Sequence, residues 1–175
     1  MGAVTSYLST ITPVQTFRIQ EIPMRSLIIP ALGLALAFAA PLAPSTALAS
    51  EAPVYQSFLG TAIDGTDPVA YFTEGKPVEG SSSYTHEWNG ATWRFSSAEN
   101  RDLFAANPEA YAPQYGGYCA WAVAKGKTAS TDPDNWAIVD GKLYLNFNDA
   151  VQAKWDKDRS GHIASANENW PDVLN

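Results

Sequence analysis

Residues 84–95 read YTHEWNGATWRF, and the pair Asn89-Gly90 stands between two runs rich in aromatic residues. Asn-Gly is the strongest short signal for a β-hairpin, because both central residues of the tight turn need a positive φ. Alternate residues from Tyr84 to Trp88 share one face of the first run, as they do on a strand. The stretch therefore predicts a hairpin with one half-buried face.

A helix is expected directly after this hairpin. Ser96 is predicted to be the N-cap, and Glu99 three residues later completes a capping box. The helix is expected to continue to about Asn107 and to bury Leu103 and Phe104.

A second hairpin is predicted further along the chain. Residues 136–139 and 142–147 are strand-like and flank Asp140-Gly141, again a turn pair that favours positive φ. The preceding residues, 128–135, are polar and are expected to form a loop. Asn148 is expected to cap the helix that follows.

Three shorter elements complete the expected fold. Residues 69–72, VAYF, suggest a short buried strand, residues 118–124 a short helix, and residues 163–170 a last helix that ends before Pro171. The sequence thus predicts an α+β fold: a small single domain with two β-hairpins interleaved with short helices.

The N-terminal part of the chain resembles an export signal. Residues 27–48 are almost entirely apolar or small, Arg25 lies just upstream, and residues 47–49 read Ala-Leu-Ala. This order of basic, apolar and small-residue regions is typical of a signal peptide cleaved after Ala49. A transmembrane helix is the alternative, and the three prolines in the apolar region disfavour it.

Three segments follow from this assignment. Residues 24–49 are predicted to be the signal peptide, with Met24 as the true start, and residues 1–23 an upstream-start artefact. Residues 50–175 form the predicted domain. We expect this domain to be periplasmic or secreted and free of the membrane after signal cleavage.

Composition excludes several functional classes. A formal net charge of -7 disfavours nucleic acid and anionic membranes as partners. The single cysteine, Cys119, excludes an intramolecular disulfide and any site with two thiolates from one chain. No phosphate-binding loop, dinucleotide fingerprint, nucleophile elbow or metalloprotease helix is present.

Three segments together resemble the YHS domain family. They are residues 67–72, DPVAYF; residues 93–97, WRFSS, continuing to Tyr111; and residues 115–120, YGGYCA. The third segment is similar to an extension of exported, single-domain YHS proteins. The resemblance implies a YHS-type domain over residues 50–175.

One departure from the family concerns metal. The metal-binding relatives, called TRASH domains, carry three cysteines in the first two segments, and here Ala70, Ser96 and Asn100 occupy those positions. Thiolates provide high affinity for soft and borderline cations, and these three residue types do not. The family's three-thiolate site is therefore expected to be missing, with no cofactor assured.

Cys119 is the one remaining soft ligand. It could bind copper together with His86, or act as the nucleophile of a thiol enzyme with His86 as its base. The alternative is a buried structural cysteine beside Gly117 and Ala120. Asp67 is expected to order its turn by accepting backbone N–H groups rather than to act as an acid.

The sequence thus favours an exported, non-enzymatic binding or accessory module. A copper-type metal-binding protein that uses Cys119 and His86 is the first alternative, and a thiol enzyme is the second. We expect a monomer, and no motif specifies its ligand or its protein partner.

Overall fold

A computed structural model describes residues 50–175 of the chain. The predicted signal peptide, residues 24–49, and the segment 1–23 lie outside the described residues. Within residues 50–175, no helix has both the length and the apolar character needed to cross a membrane.

The described part of the chain has an α+β fold, as predicted. The strands form two separate antiparallel hairpins, β1–β2 and β3–β4. The strands are β1 (Ser81–Trp88), β2 (Ala91–Phe95), β3 (Asp132–Val139) and β4 (Lys142–Asn146). The helices are α1 (Ala70–Thr73), α2 (Ala98–Ala106), α3 (Pro108–Tyr111), α4 (Ala120–Val123), α5 (Asp149–Trp155) and α6 (Arg159–Asn169).

Both predicted hairpin turns are confirmed. Asn89 and Gly90 have φ values of 51° and 79°, and Asp140 and Gly141 have φ values of 51° and 73°. Asparagine, aspartate and glycine tolerate this left-handed region better than other residues, which explains why these pairs occupy the turns.

The loop predicted over residues 128–135 is too long. Strand β3 already begins at Asp132, which pairs with Asn146 across an irregularity in the register that ends at Trp136. A bulged strand tolerates the polar residues and the proline that made this segment look like a loop.

The strand predicted over residues 69–72 is wrong, because this segment forms helix α1. The Asp67 side chain decides the conformation. Its Oδ1 atom accepts the backbone N–H groups of Val69 at 2.8 Å and Ala70 at 3.3 Å. These bonds satisfy donors that a first helical turn leaves free, so a short apolar run becomes a helix.

The cap predicted for α2 is wrong by one residue. Ser97, not Ser96, is the N-cap, and its hydroxyl accepts the N–H of Asn100 at 3.1 Å. The helix buries Asn100 and Phe104, which lie four residues apart on one face, and leaves Leu103 exposed at 38%. The prediction that Phe104 is buried is confirmed, and the same prediction for Leu103 is wrong.

Strand β4 is buried on both faces and separates two hydrophobic clusters. Leu143 and Leu145 pack into a first cluster with Trp93, Phe95 and others, whereas Tyr144 packs into a second cluster that includes Trp155. Successive side chains of a strand point to opposite faces, so one strand contributes to both clusters. The first cluster is built mainly around the β1–β2 hairpin, and the second around α4 to α6.

Gly116 fixes the path of the chain before β1. It has a φ of +59°, and a Cβ atom there would lie 2.0 Å from the Pro53 carbonyl oxygen. The Gly116 carbonyl also accepts the Tyr55 N–H at 2.9 Å. Residues 53–55 thus pack directly on a glycine backbone, which leaves no room for a side chain.

We predict that Gly116→Ala lowers the free energy of unfolding by more than 2 kcal/mol, roughly the left-handed strain plus the displaced backbone. Gly126→Ala is the matched control, because Gly126 has a φ of +71° with no atom within 4 Å of the added Cβ. The control should lose only about 1 kcal/mol. Urea denaturation measures both, and equal losses would contradict the close approach.

Candidate functional site

A buried carboxylate lies at the end of the first hairpin, next to the residue that follows β2. Asp67 is fully buried, with a relative exposure of 0%. It lies between the 3-10 turn Ile63–Gly65 and helix α1. An isolated buried carboxylate is strongly unfavourable, so its partners decide whether this position is stable.

Five hydrogen bonds satisfy the Asp67 carboxylate. Besides the two backbone groups that Oδ1 accepts, Oδ2 accepts the Ser96 N–H at 2.8 Å, the Ser96 hydroxyl at 2.7 Å and the Asn100 Nδ2 amide at 2.7 Å. Within residues 50–175, no Lys, Arg or His forms an ion pair with it. Neutral donors alone therefore compensate the buried carboxylate.

The three positions that the YHS resemblance associates with metal cysteines meet at this carboxylate. Ala70 donates its backbone N–H, Ser96 donates through backbone and side chain, and Asn100 donates its amide. The Asn100 amide also donates to the Ser96 hydroxyl at 3.3 Å. This cluster, the Asp67 site, uses as hydrogen-bond donors the residues that stand in place of thiolate ligands.

Cys119 lies in a second buried polar cluster, at the end of β4. Its side chain is 1% exposed and its thiol contacts the Asn146 Oδ1 atom at 3.6 Å. That oxygen also accepts the Trp121 N–H at 3.0 Å, and the Asn146 amide donates to Gln152 at 2.9 Å. Burial raises the pKa of the Cys119 thiol, which disfavours the reactive thiolate.

His86 contacts other residues. It is half-buried on β1, and its ring lies 6.1 Å from the ring of Phe104, edge to face. The contacts of Cys119 and His86 do not join the two side chains, so their pairing in a copper site or a thiol enzyme stays a prediction. Within residues 50–175, no three or more His, Cys, Asp or Glu side chains lie together as a metal-ligand group.

A cleft opens where the two hairpin turns, the 3-10 turn Gln114–Gly117 and the end of α6 meet. Its volume is about 480 Å³, and Trp88 and Trp170 are among its lining residues. The amide side chains of Asn89, Gln114 and Asn167 also line it. Small-molecule sites typically have volumes of about 300–1,000 Å³ and combine aromatic surface with a few polar groups, so this cleft has the properties of a binding site.

Sequence reasoning missed this cleft. Its residues come from five separate parts of the chain, and no local spacing connects them. Tyr115 has a φ of 57°, which is unusual for a bulky residue, but a sequence does not show φ. The adjacent Gly116-Gly117 pair was the nearest sequence hint of a special backbone at this point.

We predict that Asp67→Asn lowers the free energy of unfolding by about 3 kcal/mol. The amide places an N–H2 group against N–H and O–H donors, and leaves at least one of them unsatisfied. Asp64→Asn is the control, because Asp64 is exposed and accepts one hydrogen bond, from Tyr55. Urea denaturation should find the control within about 0.5 kcal/mol of the wild type. A small loss for Asp67→Asn would contradict the five-bond arrangement.

Comparison with known proteins gives one match. The model of the YHS domain matches residues 69–115, a span that includes Ala70, Ser96 and Asn100. No curated protein and no solved structure matches the chain. The matched span runs from the start of α1 to the aromatic residue Tyr115 in the cleft. A YHS domain is therefore present at residues 69–115.

Proposed function

We propose that the chain is an exported binding module that acts without a metal centre and without catalysis. The observation that carries this proposal is the Asp67 site. Ser96 and Asn100 both donate to the same carboxylate oxygen, each at 2.7 Å through its side chain. Their donors are used within the fold rather than left for a ligand.

The chemistry of the Asp67 site supports a structural role. Ala70 has no ligand atom, and hydroxyl and amide groups bind soft or borderline cations weakly. The carboxylate oxygens accept five hydrogen bonds, so a cation could reach them only by breaking bonds between α1 and the β2–α2 junction. Asp67 therefore holds the fold together at the position where metal-binding relatives would hold an ion.

The environment of the thiol argues against a nucleophile. Cys119 contacts an amide oxygen, which cannot accept a proton as a general base does. Its raised pKa and its burial lower the thiolate fraction and restrict access by a substrate. This setting favours a packing role for Cys119.

Export is part of the proposal. The basic, apolar and small-residue order of residues 24–49 supports a cleaved signal peptide. The chain that remains has two hydrophobic clusters, and the single cysteine in it is buried. A buried thiol is protected from oxidation in an oxidising compartment.

The cleft is the proposed binding surface. It combines two tryptophans, three amide side chains and a volume of about 480 Å³. The YHS domain supplies Trp88 and Tyr115 to the cleft, α6 supplies Asn167, and the residue that caps the end of α6 is Trp170. A ligand there would contact both the YHS domain and the C-terminal helices.

We predict that the protein folds fully without metal, because packing and the Asp67 hydrogen bonds stabilise it. Elemental analysis of the purified protein should find less than stoichiometric copper and zinc. Its melting temperature should be the same with and without a strong chelator.

The copper alternative gives a different result in the same samples. Stoichiometric copper that is lost in Cys119→Ala and in His86→Ala, but kept in His162→Ala, would overturn the proposal. A large drop in melting temperature on chelation would also overturn it.

We predict that Cys119 reacts with a disulfide reagent about a hundredfold more slowly in the native protein than in the unfolded chain, since reaction requires local opening. The measurement is the absorbance of the released thiol in native buffer and in guanidinium chloride. Equal rates in the two conditions would contradict a buried structural thiol and favour the thiol-enzyme alternative.

A further inference from the structure

We propose that the cleft binds a neutral saccharide, whose ring stacks on Trp88 or Trp170 and whose hydroxyls pair with the amide side chains. This inference rests on the proposed binding module and names the ligand class of the same surface.

The charges in the cleft point to a neutral ligand. One carboxylate, Glu109, and one ammonium group, Lys142, line it, and both residues are exposed. Their formal charges cancel, although the whole chain carries a net charge of -7. With one charge of each sign the cleft selects neither an anion nor a cation, whereas a neutral polyol can hydrogen-bond with both groups.

Neighbouring aromatic rings hold the two tryptophans of the cleft in place. The Trp88 ring lies 5.9 Å from Trp93, and the Trp170 ring lies 6.0 Å from Tyr115. Both indoles are half-buried and line the cleft, so each is held by packing and keeps part of its surface accessible. An aromatic side chain already held by packing loses little conformational entropy when the apolar face of a sugar ring stacks on it.

The orientation of Asn167 is also set before binding. Its Oδ1 atom accepts the Tyr115 hydroxyl at 2.9 Å, and that hydroxyl also lies 3.3 Å from the Ile163 carbonyl oxygen. Because the oxygen of this amide is held and Asn167 is an exposed residue that lines the cleft, its Nδ2 group is left as a donor there. An amide donor held in a fixed direction can pair with a hydroxyl oxygen of a sugar.

Tyr115, which lines the cleft, has a strained backbone, as residues of functional sites often do. Tyr115 has φ 57° and ψ 37°, which places a bulky aromatic residue in the left-handed region. This conformation is retained only where surrounding contacts enforce it. Here it holds the Tyr115 hydroxyl on Asn167 and the Tyr115 ring against Trp170.

The test is a titration of the ¹⁵N-labelled protein with maltose, cellobiose and diacetylchitobiose, followed through the indole N–H signals. We expect saturable shifts of Trp88 and Trp170, with a Kd of the order of 1 mM for at least one sugar. Asn167→Ala and Trp170→Phe should each weaken that affinity about tenfold, by loss of a donor and of stacking area.

Two variants serve as matched controls. Glu168→Gln alters an exposed neighbour of Asn167 on α6, and Trp121→Phe makes the same aromatic change at a half-buried tryptophan that does not line the cleft. Both should bind the sugar with unchanged affinity. The dispersion of each variant's spectrum verifies that it is folded.

Three outcomes would overturn the saccharide proposal. They are the absence of shifts at sugar concentrations of about 10 mM, equal shifts at Trp121 and Trp155, or saturable binding of glycine betaine or glutamate with none of the sugars. Metal analysis of the same samples separates this failure from failure of the binding module. If the protein contains no metal and binds none of the sugars, only the proposed ligand class is overturned.

Discussion

The rest of the domain depends on one buried carboxylate that is compensated without a cation. Asp67 connects helix α1 to the junction of β2 and α2 through five hydrogen bonds. Removing one partner from a buried charged group is far more unfavourable than losing an exposed contact. The positions of α1 and of the first turn of α2 are therefore coupled. Both helices contribute side chains to the first hydrophobic cluster, Tyr71 from α1 and Phe104 from α2.

A hydrogen-bonded polar residue also lies at the end of the second hairpin. Asn146 ends β4, as Ser96 follows β2, and each is a buried or half-buried polar residue at a strand-to-helix junction. Each also lies next to a helix whose own cap, Ser97 or Asn148, accepts a backbone N–H. Polar groups at these junctions therefore hydrogen-bond with one another or with the first turn of the helix that follows.

Strand β4 explains why the chain needs its C-terminal part. Leu143 and Leu145 complete the first cluster, but Tyr144 on the opposite face must be covered by something else. Trp155 on α5 packs against it, with ring centroids 5.6 Å apart. The covering helices then bring Trp170 to the edge of the first hairpin, and the cleft is a consequence of covering a strand that is buried on both faces.

The sequence by itself determined the turns, the approximate positions of most helices and the YHS domain, because these depend on residues close together in the chain. Asn89-Gly90 and Asp140-Gly141 need only their own φ preferences to form turns. The helical conformation of residues 69–72, the role of Ser96 and the contents of the cleft were decided by tertiary structure. Each depends on partners far apart in sequence, such as the Asp67 carboxylate and the Asn100 amide, and no local period or spacing records such a hydrogen bond.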